Sequence, residues 1–196
     1  MGNRRMGARR INALLGSNLA EDNRNSAGAG IKDAIESSTV HRQGSQITTE
    51  IVVDLASSKG TLKSPGTINQ VIGVSSSSGT HADAYLTQLT TAINGIVTDA
   101  EIICTETPTT GEPDINLVYN ASATLGFGEA GGTDTLVDTG ADFVIGYNKV
   151  GAGVNDNAAA NDYVYLTAGV ASPDNNEYDT GKLVIRIYGY AVGSDL

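Results

Sequence analysis

Two carboxylates stand two residues apart in the stretch "IVTDAEIICTET", Asp99 and Glu101, and they share a face if the stretch is extended. Acid pairs can hydrolyse glycosides when they flank a sugar across about 5–5.5 Å or about 6.5–9.5 Å. Here Glu106 has the opposite parity and the chain has no Trp to line a sugar cleft. The pair therefore reads as a solvated strand face. His41 and His81 show no H-x-x-x-H spacing and lie apart from the lone Cys104, so zinc ligation and a Cys–His nucleophile lack support. Cys104 itself reads as a small buried apolar residue. The run "GFGEAG" (Gly126, Gly128, Gly131) matches G-x-G-x-x-G, but "GTDTLVDTG" follows where a phosphate-binding helix should start. Gly181-Lys182 is followed by Leu and makes no P-loop. "NDNAAAND" and "PDNNEYD" offer oxygen ligands for calcium without the spacing of an EF-hand. The expectation is a protein that is not an enzyme and carries no cofactor or resident metal.

Charge is more informative than chemistry. The chain has 196 residues and a formal net charge of −10, yet "MGNRRMGARR" holds four arginines and no acid. Residues 1–63 carry nine of the twelve Lys+Arg and six of the 22 Asp+Glu, whereas residues 64–196 carry three and sixteen. An acidic body of this kind repels polyanions, so free nucleic acid is not expected as the ligand. No apolar run approaches the roughly 18 residues of a membrane span, and no membrane partner is expected. The leader is shaped like a twin-arginine export signal, but "INALLG" is too short an apolar region and "SNLAEDNRN" follows it. A cytoplasmic site of synthesis is the simplest expectation. One cysteine excludes an intrachain disulfide.

The elements that must position any site follow from periodicity. In "QITTEIVVDL", Ile47, Ile51, Val53 and Leu55 share one face and Gln46, Thr48, Glu50 and Asp54 the other, the period of a half-buried strand. In "IVTDAEIICTET", Ile96, Ala100, Ile102 and Cys104 are expected inward. "DINLVY", "DFVIGY", "YVYLTAGV" and "KLVIRIYGYAV" read as further strands, and "NQVIGV" and "AYLTQL" as weaker ones. Turn stretches such as "SPGT", "TPTTGEP", "EAGGTD" and "SPDNN" separate them. With 24 glycines and no helical period between the strands, the expected fold is mainly β. It is an antiparallel, jelly-roll-like sandwich of about eight strands over residues 44–196. Residues 1–43 are expected to form a basic arm with short helical segments. Ile11, Leu14, Leu15 and Leu19 make the apolar stripe of one, and "IKDAIESS", with Ile31 and Ile35 on one side, a second.

Two groups of residues are candidates for contact with partners. Tyr163, Tyr165, Tyr188 and Tyr190 alternate along two late strands, where phenols suit either a core or a subunit interface. Holding ten residues of the leader in place costs on the order of 10–20 kcal/mol of backbone entropy. Charge-assisted Arg–carboxylate bonds from Arg4, Arg5, Arg9 and Arg10, to the chain's own acidic body or, as the favoured reading, to a neighbouring acidic chain, would offset it.

The opening "MGNRRMGARRINALL", leading into a Gly/Thr-rich β body with "GIVTDAEIICTETPTTGEPDINLVY" at its middle, resembles small virion proteins of tailed bacteriophages, particularly marine ones with short tails. The likeness covers the leader and the central strands and stops near residue 126. It implies a structural part of the particle, such as a trimeric capsid decoration or cement protein whose terminal arm lies across neighbouring capsid subunits. The arm residues Arg4, Arg5, Arg9, Arg10, Ile11, Leu14 and Leu15 would then contact an acidic lattice such as the major capsid protein. The protein would reside in the virion after synthesis in the host cytoplasm. A neck, tail or fibre component, or another filament subunit, is the nearest alternative. A glycan-binding adhesion module is the other, and it calls for an open cleft with Tyr85, Tyr147 or Tyr178 stacked in it.

Overall fold

The computed structural model describes residues 21–22, 27–76, 81–132, 134–152, 161–170 and 173–191. The arm residues Arg4, Arg5, Arg9, Arg10, Ile11, Leu14 and Leu15 lie outside them. Two antiparallel sheets form a β-sandwich. The larger contains β1 (Glu21–Asp22), β2 (Ile35–Gln43), β3 (Gln46–Asp54), β5 (Ile96–Thr109), β8 (Asn148–Val150) and β10 (Thr180–Tyr190). Its spatial order is β1-β2-β3-β10-β5-β8. The smaller contains β4 (Thr87–Gln88), β6 (Ile115–Asn120), β7 (Thr135–Val137) and β9 (Tyr163–Ala168), in the order β4-β9-β6-β7. One short helix, α1 (Thr91–Asn94), precedes β5.

Register explains why the large sheet has one dry and one wet face. Ile185 of β10 lies opposite Ile51 of β3 on one side and Ile102 of β5 on the other, and all three are fully buried. Burial of each such side chain is worth about 1.5–3 kcal/mol. One residue further along, the pleat turns Glu50, Arg186 and Glu101 to the opposite face as a second row. A single contiguous core takes Ile51, Ile102 and Leu183 from this sheet and Ile115, Leu117 and Leu166 from the other.

The sheet begins earlier than the sequence pattern suggests. Residues 27–43 are part of the body, not of an arm. "IKDAIESS" gives only a 3-10 turn at Lys32–Ala34 before β2 starts at Ile35. The Ser/Thr-rich run that follows is a poor helix former, and pairing of eight of the nine β2 residues with β3 decides the outcome. Ile31 and Ile35 are buried together with Ala27 and Ala34 in the core. Gly44, at φ +62, supplies the first position of the two-residue turn joining β2 to β3. "DFVIGY" is a loop, because Tyr147 N–H donates back to Val144 and Gly146 takes φ +85. Phe143 of that loop is buried, while Ile145 is 70% exposed.

A further difference concerns Ile96. Along β5, Asp99 lies opposite Tyr188 but Val97 lies opposite Gly189, so Thr98 is an extra residue, a β-bulge. The bulge inverts the side-chain alternation. Val97 enters the core and Ile96 turns outward, 46% exposed. At the same end of the sheet Gly95 ends α1 at φ +68, and a Cβ there would meet the Tyr190 carbonyl at 2.2 Å. Thr90 caps α1 by accepting from Ile93 N–H at 3.2 Å. Asn94 donates to Thr49 at 2.7 Å, and Arg42 caps the other end by donating to Ala92 and Ile93 carbonyls.

Candidate functional site

The outer face of the large sheet gathers the charged and aromatic groups of three central strands. The outward row places Arg186 between two acids. Its Nε donates to Glu50 at 2.8 Å and its Nη1 to Glu101 at 3.1 Å. Glu101 also accepts from the Tyr188 hydroxyl at 2.5 Å and from Asn148 of β8 at 3.4 Å. These neighbours leave Glu101 only 8% exposed. Burial alone would push its pKa up. Hydrogen bonds from Tyr188, Arg186 and Asn148, with the guanidinium charge, outweigh that and hold the carboxyl below its usual range. The Tyr188 hydroxyl is pushed up to about 12, by burial first and by the Glu101 carboxylate second. Arg186 is likewise held in its charged form, chiefly by Glu50.

Asp99 and Glu101, adjacent in the sequence pattern, therefore have separate environments. Glu101 belongs to this ladder. Asp99 sits beside the bulge and accepts from Ala100 N–H at 2.8 Å. Next to it a cleft of about 320 Å³ opens between β3, β10 and β5, lined by Gln46, Thr48, Thr98, Asp99, Tyr188 and Tyr190. Tyr190 is 46% exposed, and Ile96 lies across from it on the same face. Strand alternation locates Tyr188 and Tyr190. The cleft was hidden by the bulge, because strict alternation turns Ile96 inward.

The four candidate tyrosines do not form one face, because β9 and β10 belong to different sheets. Tyr165 is fully buried and donates its hydroxyl to Ser122 O at 2.6 Å, which removes it from any subunit contact. Tyr163 packs edge-on against Tyr85 at 4.9 Å between ring centroids, and Tyr85 meets Tyr165 at 6.3 Å. Only Tyr188 and Tyr190 lie on the outer face of the large sheet. Nor do Tyr85, Tyr147 and Tyr178 stack in an open cleft. Tyr178 is buried and donates to Glu112 O at 2.8 Å, Tyr85 packs against the core, and Tyr147 lies edge-on to Phe143 at 5.5 Å.

The remaining reactive types serve structure. The "GFGEAG" loop is closed by its own acid, since Glu129 accepts from Gly126 N–H at 2.7 Å. His81 accepts from Ser76 N–H at 3.1 Å and meets Phe127 edge-on. His41 bonds Thr39 at 3.1 Å. Cys104 is buried beside the Glu106 carbonyl, and burial raises its thiol pKa. Glu112 is buried and accepts from Asp114 and Asp174 N–H groups at 3.0 and 3.2 Å. Thr139 donates to Asp114 and, through its backbone, to Asn116 at 2.9 Å. Among the described residues no group of three or more His, Cys, Asp or Glu is placed to hold a metal ion. Most of "NDNAAAND" lies outside them. Among the described residues no helix is long and apolar enough to cross a membrane.

Comparison with protein-family models, with curated proteins and with solved structures finds no match to this chain.

Proposed function

We propose that this is a non-enzymatic virion structural protein that decorates or cements a phage capsid, with the sandwich as the oligomeric body and the basic leader as the clamp. The carrying observation is the segregation of charge: four arginines and no acid in residues 1–10, against sixteen acids and three bases in residues 64–196. A rigid β-sandwich suits the body's part, since it can present several arms from one oligomer. Exposed Arg–carboxylate pairs contribute about 0.2–1 kcal/mol each, so four would give roughly 1–4 kcal/mol per arm. Several arms on one oligomer multiply that through effective concentration. The resemblance to small phage virion proteins points the same way.

The test replaces Arg4, Arg5, Arg9 and Arg10 with Ser and measures co-sedimentation with particles that lack the protein. The variant should keep its β circular dichroism and lose particle binding, with the loss larger at low salt, where the Arg–carboxylate pairs are least screened. Undiminished binding of the fourfold variant would reject the clamp.

A further inference from the structure

We propose that the cleft at the bulged end of the large sheet binds a neutral saccharide, with Tyr190 as the stacking platform and Asp99 as the acceptor for adjacent hydroxyls. Four observations lead there. The cleft holds about 320 Å³, at the lower end of the roughly 300–1,000 Å³ typical of small-ligand sites. That is room for one or two sugar rings. Its lining contains no cation and one carboxylate, and the adjoining Glu50–Arg186–Glu101 ladder has two acids to one base, so phosphate, sulfate and carboxylate ligands are repelled.

The exposed apolar part is a phenol ring, since Ile47, the aliphatic residue of the lining, is only 2% exposed and belongs to the core side. Tyr190 is 46% exposed at the outer rim, and the C–H face of a pyranose lies against such a ring. The polar part combines donors with acceptors: the Gln46 amide and the Thr48 hydroxyl, the Asp99 carboxylate, and the Thr98 hydroxyl, which donates to the Tyr188 carbonyl at 3.4 Å and is left to accept. A sugar hydroxyl both donates and accepts, and so uses all of them. An amine or guanidinium would use the carboxylate and rings but leave the amide and hydroxyl donors without acceptors.

Two of the lining side chains are also held in place before a ligand arrives. Asp99 is anchored by Ala100 N–H at 2.8 Å, and Tyr188 is tied through its hydroxyl to Glu101 at 2.5 Å. Ordering of those side chains on binding is thereby reduced. The bulge at Thr98 places Thr98 and Asp99 side by side at the rim, which a regular strand would not do.

The experiment is an NMR titration of the full chain with methyl glycosides of glucose, galactose, mannose and N-acetylglucosamine and with their disaccharides. Inorganic phosphate and arginine methyl ester are titrated in parallel. The expected result is saturable shifts of Thr98, Asp99, Gly189 and Tyr190 amides with at least one sugar, at millimolar affinity, and none with phosphate. Tyr190→Ala, at an exposed site and with an unchanged melting temperature, should weaken binding by about 2- to 10-fold, and Tyr190→Phe should restore it. Asp99→Asn should weaken it about tenfold. The proposal is overturned if no sugar shifts those amides up to about 50 mM, far above the roughly 1 mM that about 4 kcal/mol of binding gives. Sugar binding that is indifferent to Tyr190→Ala and Asp99→Asn, or preferential binding of arginine methyl ester, overturns it equally.

Discussion

Replacement of Glu101 by Gln removes one charge from the centre of the outward ladder while keeping the side chain's shape. Three donors converge on the carboxylate: Tyr188 at 2.5 Å, Arg186 at 3.1 Å and Asn148 at 3.4 Å. They are unequal. The Asn148 contact is at the edge of hydrogen-bond range and contributes little. The Arg186 side chain is 38% exposed and keeps its second partner, Glu50, so that pair falls to the roughly 0–1 kcal/mol of a solvent-screened bridge. The short phenol–carboxylate bond carries most of the rest. The total expected loss is about 1–2 kcal/mol at pH 7. Because the folded-state pKa of Glu101 is depressed, its contribution is fully present above the unfolded value and disappears as pH falls through the folded one. Urea unfolding of both proteins at pH 7 and at successively lower pH should therefore show a gap that closes on acidification. A gap below about 0.3 kcal/mol at neutral pH, within the error of such differences, or one that stays constant down to pH 3, would refute the assignment of Glu101 as an ionised, multiply bonded group.

Two further substitutions probe the scaffold. Gly95→Ala puts a Cβ 2.2 Å from the Tyr190 carbonyl at a φ of +68, and should cost more than about 2 kcal/mol. A melting temperature equal to that of the parent protein would contradict the close approach of α1 to β10. Tyr165→Phe removes the 2.6 Å bond to Ser122 O without opening a cavity, and should lower stability by about 1 kcal/mol. A loss too small to measure by calorimetry would mean that this hydroxyl exchanges freely with water.

Residues that alternate over a long run were legible before the fold was known. Ile51, Val53 and Leu55 are buried and Glu50 and Val52 are not, because β3 pairs with β10 along its whole length without a register shift, and the one irregularity of its ladder with β2 adds a residue to β2, not to β3. Ile96 was misread for a local reason, since one extra residue at Thr98 inverts everything before it. The strand β2 was obscured because Ile31 and Ile35 fall at a helical spacing by coincidence of a 3-10 turn meeting a strand. The tyrosines show a different gap. Parity along β9 and β10 was right, but sheet membership depends on long-range pairing that no local pattern encodes. Glu101 looked like a solvated acid because its partners, Arg186, Tyr188 and Asn148, are drawn from two other strands.

The placement of β10 between β3 and β5 has a kinetic consequence. Synthesis delivers β3 and β5 first, and the strand that joins them follows about seventy residues after β5 ends. At about 5–20 residues per second, the nascent chain carries two long unpaired edges for several seconds. In the native order the slot between them awaits β10, which the ribosome has yet to release. Folding of the large sheet is thus gated by its most non-local pairing, and a chain cut short before Thr180 would leave two sticky seams open to other chains.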